Sequence, residues 1–505
     1  MAGRDGLVAG VDSSTQATKV VIVDSATGRR VAQGRATHEV TGSAGARESD
    51  PETWWAALRD ALAQTGLAGD VAAISIAAQQ HGLVTLDATA RPVRPAVLWN
   101  DTRSAPDAAA LVEAWGPAAW AERAGSVPVP SFTVTRWAWL RRTEPASARA
   151  TRAIRLPHDY LTERLCGRAV TDRGDASGTG WWSTDTGRYL PAVLDLPAVA
   201  LDEAMLPEVV GPDEVAGRVR PAVAAELGLA PDVLVGPGTG DNMGAALGLG
   251  LRPGEPVISL GTSGTAYLVS EARPVDPTGV VAGFADATGR FLPLACVLNC
   301  TFAVDRVAGW FGIDRSAVVP SDGVVILPWF DGERTPNLPL ASATIVGLRQ
   351  ASSPGAILMA TYEGVLAGLL LGLDRIAELG GGLTTDTPLV LIGGGAEGPA
   401  WQATAQRLSG RAIRIPAEPE LVALGAAVQA ASVMTGEAAP AVAQRWTGGA
   451  TADRRLEPVA PDREILERIA QVREAASALG TGIDARSAFR RPGRPRRSGL
   501  TPHRR

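Results

Sequence analysis

The chain has 505 residues, 46% of them hydrophobic and 20% charged, with a formal net charge of −5. At roughly 100–200 residues per domain, this length predicts two to four domains with sizeable cores. The acidic balance argues against a chain-wide nucleic-acid surface, and three scattered cysteines (Cys166, Cys296, Cys300) make neither a disulfide framework nor a metal cluster.

The chain opens with MAGRDGLVAGVDSS, which holds no long apolar signal core. Leu7 to Val11 is a short apolar run ending in the hydroxyl-rich turn Asp12-Ser13-Ser14-Thr15, and Thr18 to Asp24 reads as the returning strand. Lys19 on that strand is the single lysine of the chain. Ser49-Asp50-Pro51 is a helix entry, and Trp54, Leu58, Ala61 and Leu62 follow at helical spacing. Val71 to Ala78 reads as another strand. Strands alternating with helices imply an α/β layer fold.

A second set begins near residue 255. Pro256 to Leu260 is a strand, Gly261-Thr262-Ser263-Gly264-Thr265 a tight turn, and Ala266 to Val269 the returning strand. Later come a strand Pro388 to Ile392, the turn Gly393-Gly394-Gly395, a helical stretch to about Leu408, and a helix Leu421 to Val433 whose Ala423, Gly425, Ala426 and Ala427 permit close packing. The strand–turn–strand unit thus occurs twice, about 250 residues apart, a repeat of architecture and not of identity. It predicts two similar domains facing each other across a cleft, residues 1–245 and 246–480. The longest apolar stretch, around Val365 to Leu373, reads as far too short for a membrane span. Residues 481–505 carry eight arginines after Asp484 and no acid, mixed with Pro492, Gly493 and Pro495, and read as a basic disordered tail. A cytoplasmic protein without a membrane or nucleic-acid partner is expected.

Several segments have the residue types for phosphate and sugar chemistry, and each has a plainer reading. Tight-turn amides with the hydroxyls of Ser14 and Thr15 can hold phosphate oxygens, Asp12 can hold a metal ion, and Lys19 can add charge; alone, this is an ordinary polar hairpin. Gly261 and Thr262 offer the same chemistry with close backbone approach. Two such turns in matching halves fit one nucleoside triphosphate. In Gly238-Thr239-Gly240-Asp241-Asn242 a carboxylate opens a small-residue helix (Met243 to Leu249), placed either as a general base or as a helix N-cap. Gln79-Gln80-His81 at a strand end and Trp99-Asn100-Asp101 can bind sugar hydroxyls and a sugar ring, or be structural.

In order and spacing, VAGVDSSTQATKVVIVD (8–24), AAQQHG (77–82), LWNDTR (98–103), PHDYLT (157–162), TDRGDASGTGWW (171–182), GTGDNMGAALGLG (238–250), SLGTSGT (259–265), GERTPN (332–337) and LIGGGAEGPAWQ (391–402) resemble the FGGY carbohydrate kinases over about residues 7–440. Members acting on xylulose are the most similar in motif. The resemblance implies two ribonuclease-H-like domains of the actin and sugar-kinase superfamily, ATP and Mg2+ as cofactors, transfer of the γ-phosphate to a small sugar such as D-xylulose, and room for a homodimer. It makes Asp241 the catalytic base and Asp12 the magnesium carboxylate. It puts Thr15 and Thr262 in the phosphate turns, Gly394, Gly395 and Ala396 at adenosine, and Gln80, His81, Asp241 and Asn242 at the sugar. Two positions depart from the pattern: Gln80 stands where many such members have Met, and Glu397-Gly398-Pro399 follows Ala396 where a polar Ser or Asn is usual. Another sugar or polyol (ribulose, gluconate, glycerol), or an actin- or chaperone-like ATPase, are the alternatives.

Overall fold

The computed structural model describes residues 6–338, 341–447 and 453–480; the tail expected over 481–505 lies outside them. Two seven-stranded sheets organise the chain. In the first, Leu7–Ser13, Ala17–Asp24 and Arg30–Thr37 form an antiparallel meander, Val71–Ala78 lies parallel to Leu7–Ser13, and Leu234–Val235 lies parallel beyond it. In the second, Val257–Leu260, Gly264–Tyr267 and Phe291–Val297 repeat the meander, with Leu389–Ile392 and Ile413–Ile415 parallel on the other side. Both halves have the strand order 3-2-1-4-5 of a ribonuclease-H-like unit, so the repeat legible in two hairpins extends to five strands.

These strands follow from their composition. Leu7–Ser13 and Val71–Ala78 are buried almost throughout, as apolar runs covered on both faces must be. On one face the helix Pro51–Gln64 starts at Asp50, whose side chain accepts from the Glu52 N–H, and buries Trp54, Leu58, Ala61 and Leu62. The other face receives the helix Leu421–Thr435, which also pairs with Asp241–Gly248. Small residues make this approach possible: a Cβ at Gly10 would lie 1.9 Å from the Ala423 carbonyl oxygen.

Three expectations are corrected. The second turn is shorter than read: the Gly261 N–H donates to the Ser263 carbonyl at 3.1 Å, closing the bend, and Gly264 and Thr265 already pair with Leu260 and Ser259. The helix read as Met243 to Leu249 begins at Asp241, with Gly240 as its N-cap, so Asp241 is the first helical residue and not a cap. The apolar run at Val365 to Leu373 belongs to a 25-residue helix, Pro354–Glu378, long and apolar enough to cross a membrane by length and composition. In this fold 72% of its most apolar window is buried, against the second sheet and neighbouring helices.

Candidate active site

Three neighbouring parallel segments end side by side. Leu7–Ser13 delivers Asp12, Val71–Ala78 leads directly into Gln79-Gln80-His81, and Thr239–Gly240, paired with Ala77–Ala78, delivers Asp241. Carboxyl ends of parallel strands are where open α/β sheets place ligands, because backbone groups there are unpaired and the loops diverge.

Asp12 is buried and accepts from the Ser14 hydroxyl at 2.5 Å. Burial pushes its carboxyl up to about 6, against the Ser14 hydrogen bond and the charge of Lys19. Lys19 lies opposite Asp12 in the ladder, with Nζ 3.8 Å from Asp12 and 2.7 Å from Glu420. Thr15 accepts from the Trp99 indole N–H at 3.0 Å, so Trp99 touches the first turn. Asp101 is committed elsewhere, accepting from the Arg47 N–H at 2.8 Å and pairing with Arg103 at 2.7 Å.

Asp241 is half-buried. Its Oδ1 accepts from the Asn242 N–H at 2.8 Å and from the Asn242 amide at 2.9 Å. Burial pushes Asp241 up to about 7, and the charges of Asp12 and then Asp175 add to this. The same Asn242 Nδ2 donates to Gln80 at 2.9 Å, and Asn242 Oδ1 accepts from Thr265 at 3.3 Å. Asn242 therefore joins Asp241, the Gln80 strand end and the second hairpin in one network.

His81 is buried with φ +66°. Its ring stacks on Phe132 at 5.2 Å between centroids and meets Phe284, from the second sheet, at 5.5 Å. Burial first, then the charges of Arg136 and Arg334, push it down to about 3, so the imidazole is neutral. Its Nδ1 faces the Gly178 backbone, and the Gln80 Nε2 is buried with no hydrogen-bond partner among the described residues. Orphaned buried donors and acceptors are costly, so polar atoms of a bound ligand are the natural partners.

In the second sheet, Gly261-Thr262 and Gly393-Gly394-Gly395 lie at the ends of the parallel strands Val257–Leu260 and Leu389–Ile392, joined by a Gly395 N–H donated to the Leu260 carbonyl at 2.9 Å. Gly393 has φ +84° and Gly394 is exposed with open space where a Cβ would be, a bare backbone surface. Ala396 turns its methyl into the core, leaving only its backbone for a ligand. Glu397 points outward to Arg454 at 3.1 Å, and Gly398-Pro399 open the helix Pro399–Ser409.

Phe132, Phe284, Glu420, Thr265 and Arg334 carry no role legible in the order of residues. TDRGDASGTGWW and GERTPN were visible as motifs, but their link to His81 is spatial: a Cβ at Gly178 would lie 2.4 Å from the His81 ring.

Residues 7–248 match the N-terminal domain, and residues 257–434 the C-terminal domain, of the FGGY family of carbohydrate kinases. A xylulose kinase of Streptomyces rubiginosus is 58% identical over 488 residues, 95% of this chain and 100% of that protein. That of Escherichia coli K12 is 32% identical over 80% of this chain and 84% of its own length. Among solved structures, the xylulose kinase of Bifidobacterium adolescentis superposes with a TM-score of 0.79 at 36% identity, covering 93% of this chain and 99% of that one. Plasmodium falciparum glycerol kinase superposes at 0.81 with 18% identity over 94% of this chain and 98% of that one, a likeness of fold alone. The chain belongs to the FGGY family of carbohydrate kinases. Its activity is ATP-dependent phosphorylation of a carbohydrate.

Proposed function

We propose that the carbohydrate is D-xylulose, phosphorylated on its 5-hydroxyl by in-line transfer from ATP with Asp241 as base. The observation carrying this reading is the convergence of Asp12, Gln80, His81 and Asp241 at adjacent strand ends, tied through Asn242 to the second hairpin. The choice of sugar is supported by the relative from Streptomyces rubiginosus, whose name states that substrate.

In this reading Gln80, His81, Asn242 and Trp99 orient the sugar. A neutral His81 accepts or donates one hydrogen bond without adding charge beside the phosphate. Asp241 takes the proton of the attacking hydroxyl, and its raised affinity for a proton matches that task near neutral pH. Ser14, Thr15, Lys19, Gly261 and Thr262 hold the phosphates, and Gly394, Gly395 and Ala396 present backbone to adenosine. Asp12 would hold Mg2+: a buried carboxylate pushed up by desolvation, with no group of three or more His, Cys, Asp or Glu around it among the described residues, fits an ion that keeps its waters and shares phosphate oxygens. When bound, that ion neutralises phosphate charge.

We divide the chain into a sugar-binding unit, 1–245, and a nucleotide-binding unit, 246–480, with the helix Leu421–Thr435 of the latter crossing back to pack on the first sheet and moving with it; closure of the two units over both substrates excludes water. The three free cysteines support a cytoplasmic location.

A coupled ADP-release assay over D-xylulose, ribulose, gluconate and glycerol tests the substrate. D-Xylulose is expected to have the highest kcat/KM by at least about tenfold; a better turnover of any other sugar removes the assignment, and sugar-independent ATP hydrolysis would favour an actin-like ATPase. The pH profile tests the base. Asp241 works only as a carboxylate, so kcat/KM should fall about tenfold per unit as pH drops below about 7. Because Asp12 pushes Asp241 up, Asp12→Asn should move that inflection to lower pH. A flat profile between pH 5.5 and 8, about the range spanning that inflection, contradicts the role.

A further inference from the structure

Behind the strand ends lies a fully buried charge cluster that the mechanism does not use. His158 has no exposed surface, nor have Asp159 and Asp175, and Asp172 is 2% exposed. His158 Nδ1 is 2.8 Å from Asp175 Oδ2, and its Nε2 is 3.2 Å from Asp159 and 3.9 Å from Asp172. We propose that His158 is a positioning residue, whose ring and charge, set among three carboxylates, hold the Gly238–Asp241 segment in the geometry of phosphoryl transfer; this rests on the reading of Asp241 as base.

Two contacts carry the effect forward. Asp172 Oδ2 accepts from the Thr239 hydroxyl at 2.8 Å, and Thr239 precedes Asp241 by two residues. Gly238, with φ +77°, packs on the imidazole so closely that a Cβ there would lie 2.5 Å from its Cδ2. The cluster also supports the sugar side. Asp172 accepts from the N–H groups of Gly174 and Asp175, both at 2.9 Å, and this shapes the turn that brings Gly178 under His81. Ser177 in that turn accepts from the Ala285 N–H at 3.0 Å, beside Phe284. Base segment, sugar histidine and second sheet thus meet one charged knot.

Burial alone would neutralise the imidazole; the charge of Asp159, then the hydrogen bond and charge of Asp175, then Asp172, outweigh it and hold His158 at about 9. Burial pushes Asp159 up to about 7 and Asp172 up to about 6, and the charge of His158 opposes both. Without that charge both would rise further, and a protonated Asp172 would loosen its hold on Thr239.

The test uses the full chain, with kcat measured on D-xylulose and ATP and sugar affinity by calorimetry. His158→Gln is expected to lower kcat about 10²-fold while sugar Kd moves less than about threefold, since small misplacements of a reacting group cost that much. His158→Lys, which keeps a cation, should recover about tenfold or more of the loss. From the other end, Thr239→Val should lower kcat by about tenfold and Thr239→Ser should stay within about twofold of the parent. A His158→Gln enzyme with kcat within about threefold of the parent overturns the inference. Should His158→Gln not fold, the Thr239 pair decides, and equal kcat for Val and Ser overturns it. Asp241→Ala run alongside separates the two readings: normal turnover there removes the base, whereas an inactive Asp241→Ala with normal Thr239→Val removes only the role of His158.

Discussion

Asp241→Ala is expected to fold, to bind sugar, and to turn over about 10²–10⁴-fold more slowly than the parent. The fold survives because the carboxylate contributes little to it. Gly240 remains the N-cap of the helix Asp241–Gly248, and the Asn242 amide keeps its bond to Gln80. Burial and the charges of Asp12 and Asp175 all disfavour the Asp241 carboxylate, so its removal relieves repulsion. What is lost is a proton acceptor beside the attacking hydroxyl, and the remaining rate reflects positioning by the phosphate turns. Asp241→Asn should behave alike, since the amide fills the same space without basicity. Steady-state kinetics with calorimetric sugar binding decide the matter: turnover within about threefold of the parent in either variant would strip Asp241 of the role.

Gly425→Val should cost about 3 kcal/mol or more of stability and abolish activity along with it. The helix Leu421–Thr435 lies backbone to backbone on its neighbours. A Cβ at Gly425 would sit 1.9 Å from the Gly244 carbonyl oxygen, and one at Gly248 would sit 2.1 Å from that of Leu421. Side chains can rotate away from a clash, but these partners are main chain, so the helices themselves must separate. Gly244 lies three residues after Asp241 and Gly10 two before Asp12, so that separation moves both carboxylates. Gly309→Ala is the contrasting case. Gly309 sits in the helix Thr301–Phe311 with open space around its Cβ position, where alanine should be neutral or stabilise by up to about 1 kcal/mol. Denaturant titration of the three proteins measures the difference; a Gly425→Val protein within about 0.5 kcal/mol of the parent contradicts the packing argument.

The chain's own order of residues determined what depends on neighbours along it. The strands Leu7–Ser13, Ala17–Asp24 and Val71–Ala78 were legible because apolar runs bounded by hydroxyl and glycine turns have few alternatives. The helix from Pro51 was legible from its cap and spacing, and the site segments from their motifs. Local patterning went astray where tertiary contact overrode it. The stretch around Val365 to Leu373 proved to be the middle of a long helix, with residues 354–364 before it and 374–378 after it continuing the same turns. Other features belonged to the folded molecule alone. Phe284 meets His81 across some two hundred residues, Glu420 reaches Lys19 across four hundred, and His158 finds Asp172 and Asp175 on the segment that follows its own helix. A side chain's partner at such separation is set by how sheets and helices stack, and the cost or value of a buried charge depends on that partner's distance. Residue order therefore decided the elements and the chemistry on offer, and only the packed structure decided which groups meet and in what state of charge.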